Sequence, residues 1–161
     1  MFAESHQRLA DKIWAVANKL RGPYRPPQYR KVMLPLIVLR RLDCVLEPTK
    51  DQVLKQVAVL KAKKLSSEAI EKALARVASK DRKQPLFNVS PFTFAKLLGD
   101  SAGIAKNLTA YIKGFSPNAR KIFDRFEFEA EIEKLDENNM LFEIIKEFST
   151  EPLCWANLEP V

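Results

Sequence analysis

The chain has 161 residues, of which 47% are hydrophobic and 29% charged, and its formal net charge is +7. These values fit one globular domain with its own core and exclude a disordered chain. The longest apolar run, Val32–Leu39, is eight residues long, far short of the roughly 20 that a membrane-spanning helix needs.

Two helices are predicted at the start of the chain. Ser5 suits the N-cap of the first helix, and Gly22-Pro23 suits its end, since glycine tolerates the left-handed cap and proline cannot continue the helix. Pro26-Pro27 would open the second helix, where a fixed φ does no harm. The apolar residues of the first helix recur every three or four positions: Leu9, Ile13, Val16 and Leu20.

The second helix, about Pro27–Leu46, is predicted to be the buried centre of the domain. Apolar residues occupy most of its circumference, so most of it must be covered by other elements. Pro35 lies inside it and should kink it or open one backbone hydrogen bond. The apolar positions are Tyr29, Val32, Met33, Leu34, Leu36, Ile37, Val38, Leu39, Leu42 and Leu46.

Residues 50–84 are predicted to form a basic, more mobile excursion that is less apolar than its flanks. Thr49–Gln52 reads T-x-x-Q, a capping-box pattern that would start a third helix. Ser66-Ser67 would start a fourth, and the polar stretch 79–84 would be a surface loop.

The second half is predicted to supply much of the bulky core, because nine of the ten phenylalanines lie between Phe87 and Phe148. Ser90-Pro91 and Ser116-Pro117 are both predicted to open helices, with the hydroxyl as cap and proline in the first turn. Gly99–Gly103 would separate two of these helices.

Residues 126–133 alternate strictly between apolar and acidic residues, and this periodicity favours a strand. No second strand of this kind is available for pairing, and a lone strand cannot satisfy its backbone. We therefore predict a helix from about Glu129, with a break near Glu137–Asn139. The predicted fold is all-α, a single multi-helix domain.

No catalytic, metal or cofactor-binding residue is predicted within the chain. His6 is the only histidine, and with two cysteines it cannot form a credible zinc site. The glutamates of residues 127–133 fit a solvated face better than a cation site. Gly99–Gly103 lacks the G-x-G-x-x-G pattern of a phosphate cradle. Arg25–Gln28 departs from the Asn/Asp-Pro-Pro-aromatic loop of amino-methylating DNA enzymes at both ends, so it is interpreted as a helix start.

Basic residues carry the functional prediction. Residues 1–80 hold 17 Lys and Arg against 7 Asp and Glu, whereas residues 81–161 hold 10 against 13. Such a pattern indicates a polyanionic or acidic partner, or a solvated lysine-rich face. For Arg40 and Arg41, the alternative to contact with DNA is pairing with Asp43 and Glu47. The candidate DNA-backbone contacts are Arg21, Arg25, Arg30, Lys31, Arg40 and Arg41.

A cytoplasmic location is expected. Residues 1–20 contain Glu4 and Asp11 and no continuous apolar block, unlike a secretory signal. Cys44 and Cys154 lie far apart in apolar surroundings, which favours reduced thiols over a disulfide framework.

Lys12–Gly22 followed by Tyr29–Leu42 resembles the opening of the methylation subunit of type I restriction–modification systems, an N6-adenine DNA methyltransferase subunit. In that family a tryptophan-bearing helix ends in an L-R-G-like turn, and a Tyr-Lys/Arg helix then closes with a basic-Arg/Lys-Leu sequence. The apolar pattern from Phe123 to Phe148 is also similar. The resemblance covers most of residues 5–149, and the tail 150–161 does not share it.

The resemblance implies a non-catalytic helical domain that contacts other subunits and helps to enclose double-stranded DNA. Its partners would be the methylation and specificity subunits, without a membrane or a small-molecule substrate. S-adenosylmethionine would bind only a catalytic domain that this chain lacks. The chain would then be an excised domain or the product of a shortened gene, and the atypical tail favours the latter.

Two alternatives stay open at this point. The chain could be a free-standing basic helical protein that binds nucleic acid directly. It could also be a truncated subunit that acts as a protein-interaction module.

Overall fold

The computed structural model describes residues 2–78 and 86–149, with side chains from residue 7 onward. Within these ranges the fold is all-α, as predicted. Short 3₁₀ turns at Pro26–Gln28 and Glu47–Thr49 flank the second helix. The helices are α1 (Phe2–Leu20), α2 (Arg30–Leu46), α3 (Lys50–Ala62), α4 (Ser67–Ala78), α5 (Phe94–Leu97), α6 (Ile104–Lys113), α7 (Pro117–Arg125), α8 (Phe128–Glu137) and α9 (Leu141–Phe148).

Helix α2 is the buried centre of the domain, which confirms the prediction. It packs against α8 and α9, and α1 packs against α9. Val32, Leu36 and Leu39 are fully buried, whereas Leu34 is 47% exposed. The helix continues through Pro35, which is buried, and it begins later than predicted because Pro26–Gln28 form a 3₁₀ turn.

Helix α1 differs from the prediction at its start and on one face. It begins at Phe2, so the prediction of Ser5 as its N-cap is wrong. Its buried face carries Val16 and Leu20, but Ile13 is 38% exposed and Trp14 63% exposed. These two side chains are therefore left outside the core.

Helices α3 and α4 pack on each other as a hairpin with a small apolar cluster of Val53, Leu60, Leu74 and Phe87. The predicted capping box at Thr49 is wrong, because its hydroxyl donates to the carbonyl oxygen of Leu46 at 3.4 Å instead of capping α3. The mobility of residues 50–84 stays a prediction, and residues 79–84 lie outside the described residues.

The second half supplies a large share of the core, including the ring contacts of Tyr111, Phe115 and Phe123. Ser116 precedes α7 with Pro117 in the first turn, as predicted, but the prediction of its hydroxyl as cap is wrong, because the side chain makes no capping hydrogen bond. The prediction for Ser90 is wrong. The side chain of Thr93 caps the next helix, α5, by accepting a hydrogen bond from the backbone of α5 at 3.2 Å.

The alternating segment is helical from Phe128 onward, which confirms the predicted helix from about Glu129. Helix α8 buries Phe128, Ile132 and Leu135, and the chain enters it through Glu127 with a positive φ of 51°. The predicted break is confirmed, because Asn139 also takes a positive φ, 55°, between α8 and α9.

Other sequence-based expectations are settled only in part. The expectation of reduced thiols is contradicted at Cys44, which is disulfide-bonded. Cys154 and the atypical tail 150–161 lie outside the described residues. Within the described ranges, none of the helices combines the length and the hydropathy that crossing a membrane requires.

Candidate functional site

Residues 21–29, here called the junction turn, connect α1 to α2 with a backbone fixed by local hydrogen bonds. Gly22 has a φ of 106°, a conformation that glycine adopts at little cost. The N–H of Tyr24 donates to the carbonyl oxygen of Leu20 at 3.1 Å. The N–H of Arg25 donates to Oε1 of Gln28 at 3.0 Å. The turn therefore presents its side chains from a defined backbone.

Tyr24 anchors the junction turn to α8. Its side chain is buried, its hydroxyl donates to Oε2 of Glu131 at 2.7 Å, and Nζ of Lys134 lies 4.1 Å from the ring centre. Burial raises the pKa of the Tyr24 phenol well above its ordinary value, and Glu131 raises it further. The phenol thus stays protonated and keeps its hydrogen bond to the carboxylate.

Four of the six predicted basic residues are exposed around this turn. In the part of the chain that the structure describes, none of the four forms an ion pair with a carboxylate. We call them the junction cations: Arg21, Arg25, Arg30 and Lys31. All four lie within residues 21–31, on the junction turn and at the start of α2.

An open groove of about 750 Å³ lies beside the junction turn. Arg21 and Arg25 line it, and no described Asp or Glu does. Its apolar lining includes Ile13, Trp14, Ala17, Tyr29 and Met33. We call it the Trp14 groove, because Trp14 is the most exposed of its large hydrophobic side chains.

Arg40 is placed differently from the junction cations. Its Nη1 donates to Oδ2 of Asp43 at 2.7 Å, and its Nη2 donates to the carbonyl oxygen of Ser149 at 3.0 Å. The guanidinium carbon also lies 5.3 Å from the centre of the Phe94 ring. The alternative of pairing with Asp43 is thus confirmed for Arg40, which joins α2 to α5 and to the end of α9. Arg41 is half-buried.

A buried polar cluster surrounds the same Asp43. The hydroxyl of Tyr111 donates to its Oδ1 at 2.8 Å, and Nζ of Lys50 lies 5.4 Å from the Tyr111 ring centre. Burial lowers the pKa of Lys50 to about 8, against the opposing effect of Asp43. Burial, followed by Asp43, raises the pKa of Tyr111 well above its ordinary value. This cluster ties α2 to α6 and is internal to the fold.

The connection from Gly99 to Gly103 joins α5 to α6, as predicted. Asp100 fills its inner side by accepting from the N–H of Gly103 at 3.0 Å and from Nδ2 of Asn107 at 3.1 Å. A cofactor phosphate would meet this carboxylate, so the residues do not fit a nucleotide cradle. Among the described residues, no group of His, Cys, Asp and Glu is arranged to hold a metal ion.

Sequence reasoning missed Trp14 and Ile13 as surface residues. The helical period assigned Ile13 to the apolar face, although the face that is covered is shifted toward Val16, Ala17 and Leu20. One available signal was the position of Trp14 on the polar face of the helix, at helical spacing with Gln7, Asp11 and Asn18.

Comparison with known proteins identifies a family. The sequence model of one protein family, described as HsdM N-terminal domain, matches residues 9–148. No curated protein and no solved structure matches the chain.

Proposed function

Since the chain belongs to the HsdM N-terminal domain family, the N-terminal domain of the type I restriction–modification M subunit, we propose that it acts without catalysis, contacting other subunits and helping to enclose double-stranded DNA. Its partners would be the methylation and specificity subunits of such a system. S-adenosylmethionine would bind a separate catalytic domain, and we assign no part of that site to this chain.

The observation that carries the DNA part of this proposal is the set of junction cations. Arginine and lysine side chains that neutralise phosphates release counterions from DNA, and this term dominates sequence-independent binding. The four lie exposed on one turn and on the start of one helix, with Tyr24 holding that turn to the core. A fixed backbone lowers the conformational cost of placing several cations along a phosphate chain.

Arg40 has a structural role in this proposal. Its guanidinium is committed to Asp43 and Ser149, so moving it to a phosphate would leave a buried carboxylate without its partner. Arg41 stays a predicted DNA contact.

The test measures retention of duplex DNA by the full chain across a salt series. The triple variant Arg21→Ala, Arg25→Ala, Arg30→Ala should bind more weakly and equally so at every sequence. Each lost phosphate contact should reduce the slope of log affinity against log salt by about 0.9, or about 2.7 in all.

The chain offers a charge-matched control. Lys61, Lys63 and Lys64 are all exposed at the end of α3, and replacing them with alanine changes the net charge by the same amount. If this control lost as much DNA affinity as the arginine variant, binding would depend on overall charge and the assigned interface would be wrong.

Subunit contact is tested separately. The tagged chain should co-purify with the methylation or specificity subunit of a type I system at a salt concentration that abolishes DNA binding. Co-purification that disappears after nuclease treatment would show bridging by DNA and would contradict direct contact.

The proposed location is cytoplasmic, because the DNA on which such systems act lies there. The disulfide at Cys44 argues against this location, because disulfides are rare in cytosolic proteins. Cell fractionation followed by detection of the chain tests the location directly, and recovery outside the cytoplasmic fraction would contradict it.

A further inference from the structure

The Trp14 groove combines exposed apolar surface with positive charge. Trp14 is 63% exposed and Ile13 38% exposed, and both line the same concave surface as Arg21 and Arg25. An exposed tryptophan in a groove is costly to leave in water, and such patches usually mark interaction sites.

The residue types of the groove are those of a protein-binding surface. Tryptophan, tyrosine, methionine and arginine are enriched in the centres of protein interfaces, and Trp, Tyr and Arg dominate their binding energy. The groove has all four, in Trp14, Tyr29, Met33, Arg21 and Arg25. Its volume of about 750 Å³ falls in the range of pockets that hold ligands of several side chains' size.

Charge complementarity identifies the occupant. Arg21 and Arg25 contribute two cations to the lining, and none of the described lining residues carries a carboxylate. An approaching segment therefore gains from Asp or Glu placed beside its apolar residues, and a basic segment is repelled. A nucleic acid strand would match the arginines and could stack on Trp14, but it would leave the aliphatic wall of Ile13, Ala17 and Met33 without an apolar partner.

We propose that the Trp14 groove binds a protein segment in which one or two large apolar side chains are flanked by carboxylates. The inference rests on the proposed function, because it names the kind of partner segment through which subunit contact is made. The apolar anchors pack against Trp14 and Met33, and the carboxylates pair with Arg21 and Arg25.

The experiment selects binding peptides from a random phage-displayed library on the immobilised full chain, with depletion against the Trp14→Ala variant. The expected sequences combine Asp or Glu with Leu, Ile, Phe or Trp. A representative selected peptide is then synthesised and its affinity measured by fluorescence anisotropy. Trp14→Ala, and separately the pair Arg21→Glu and Arg25→Glu, should each weaken it by about tenfold or more.

The chain offers a matched control for the loss of an exposed apolar side chain. Leu34 is 47% exposed and does not line the groove, so Leu34→Ala should bind the peptide as the parent does. Trp14 is mostly solvent-exposed, so its replacement should leave the helical circular dichroism and the unfolding midpoint unchanged.

Three results would overturn the inference. One is the absence of any selected peptide whose binding depends on Trp14. Another is selection of basic or uncharged sequences. The last is a single-stranded oligonucleotide that binds with the same dependence on Trp14 and displaces the peptide, which would make the groove a base-stacking site.

Failure here can be told apart from failure of the DNA proposal. Arg30 and Lys31 do not line the groove, so Arg30→Ala with Lys31→Ala should weaken DNA retention and leave peptide affinity unchanged. Trp14→Ala should do the reverse. The two variants therefore report on the two proposals independently.

Discussion

Removing the Tyr111 hydroxyl should cost stability only while Asp43 is present to accept its hydrogen bond. The hydroxyl lies 2.8 Å from Oδ1, and Tyr111 is 1% exposed. Hydrogen bonds to charged groups contribute about 1.5–3 kcal/mol, so Tyr111→Phe should lower the free energy of unfolding by about that amount. The ring itself stays, and with it the contact to Phe115 at 5.2 Å between ring centres.

Asp43→Ala should cost more, about 3–5 kcal/mol, because it leaves the guanidinium of Arg40 buried without its carboxylate partner. In that background the hydroxyl of Tyr111 has lost its acceptor, and Tyr111→Phe should then be close to neutral. The coupling free energy of the double-mutant cycle is therefore expected to be about 1.5–3 kcal/mol.

The cycle is measured by urea unfolding of the four proteins at neutral pH, followed by helical circular dichroism. The slopes against urea should agree between variants, which shows that the midpoints report stability. If Tyr111→Phe cost the same with and without Asp43, the two side chains would not be coupled and the buried cluster would not stabilise the fold as argued.

Three further variants test other parts of the structure. Gly114→Ala should lower the free energy of unfolding by about 1–3 kcal/mol, measured in urea, because its Cβ would lie 2.8 Å from Oδ1 of Asn88 and 3.0 Å from the backbone nitrogen of Ser90. Thr93→Ala should cost about 1 kcal/mol in the same assay through the loss of the α5 cap. A series of unfolding measurements in pH tests Lys50, whose pKa burial lowers to about 8. Between that value and its unfolded pKa of about 10.4 the unfolded chain binds more protons, so stability should rise with pH there, and Lys50→Met should remove that rise. If Lys50→Met kept the parent's pH profile, the reasoning that burial lowers the pKa of Lys50 would be wrong.

Local rules were sufficient where one short stretch determines the outcome. The apolar circumference of α2 predicts burial whatever covers it. Gly22 predicts the end of α1, since its positive φ disfavours other residues. The absence of a second alternating stretch to pair with residues 126–133 was enough to predict α8 as a helix.

The cap prediction at Ser90 is wrong because a contact with a distant residue competes with capping, and the sequence does not reveal that contact. Ser90 and Thr93 both suit a cap, and Ser90 precedes a proline, but its N–H is held by Oδ1 of Asn88 at 2.7 Å. Asn88 is fixed in turn by donating to the carbonyl oxygen of Tyr111 at 2.9 Å. Ser90 is thus committed to a turn by a contact more than twenty residues away. The contact of Tyr111 with Asp43, 68 residues apart, is beyond local rules for the same reason.

The candidate site was predicted in part. The sequence shows six basic residues close together, but it does not show which of them are exposed and which are paired in the interior. Four of the six are exposed at the junction turn, whereas Arg40 is paired in the interior. Exposure and pairing depend on which faces of α1 and α2 are covered by α8 and α9, and this is a tertiary property. The Trp14 groove escaped prediction because the same packing leaves Ile13 uncovered.

The count of charges along the chain overstates the positive charge that α1 presents, because part of it is paired. Helix α1 is basic and α9 acidic, and they pack together with Nζ of Lys12 lying 3.1 Å from Oε2 of Glu147 and Nζ of Lys19 lying 3.3 Å from Oε2 of Glu143. Such half-exposed pairs contribute little to stability, but each cancels a charge that the sequence counts toward the basic half. In the described part of the chain the junction cations form no ion pair with a carboxylate, and neither do the exposed Lys61, Lys63 and Lys64 at the end of α3. An anionic partner that approaches the C-terminal end of α1 therefore meets the junction cations, which is why the two proposals are tested there.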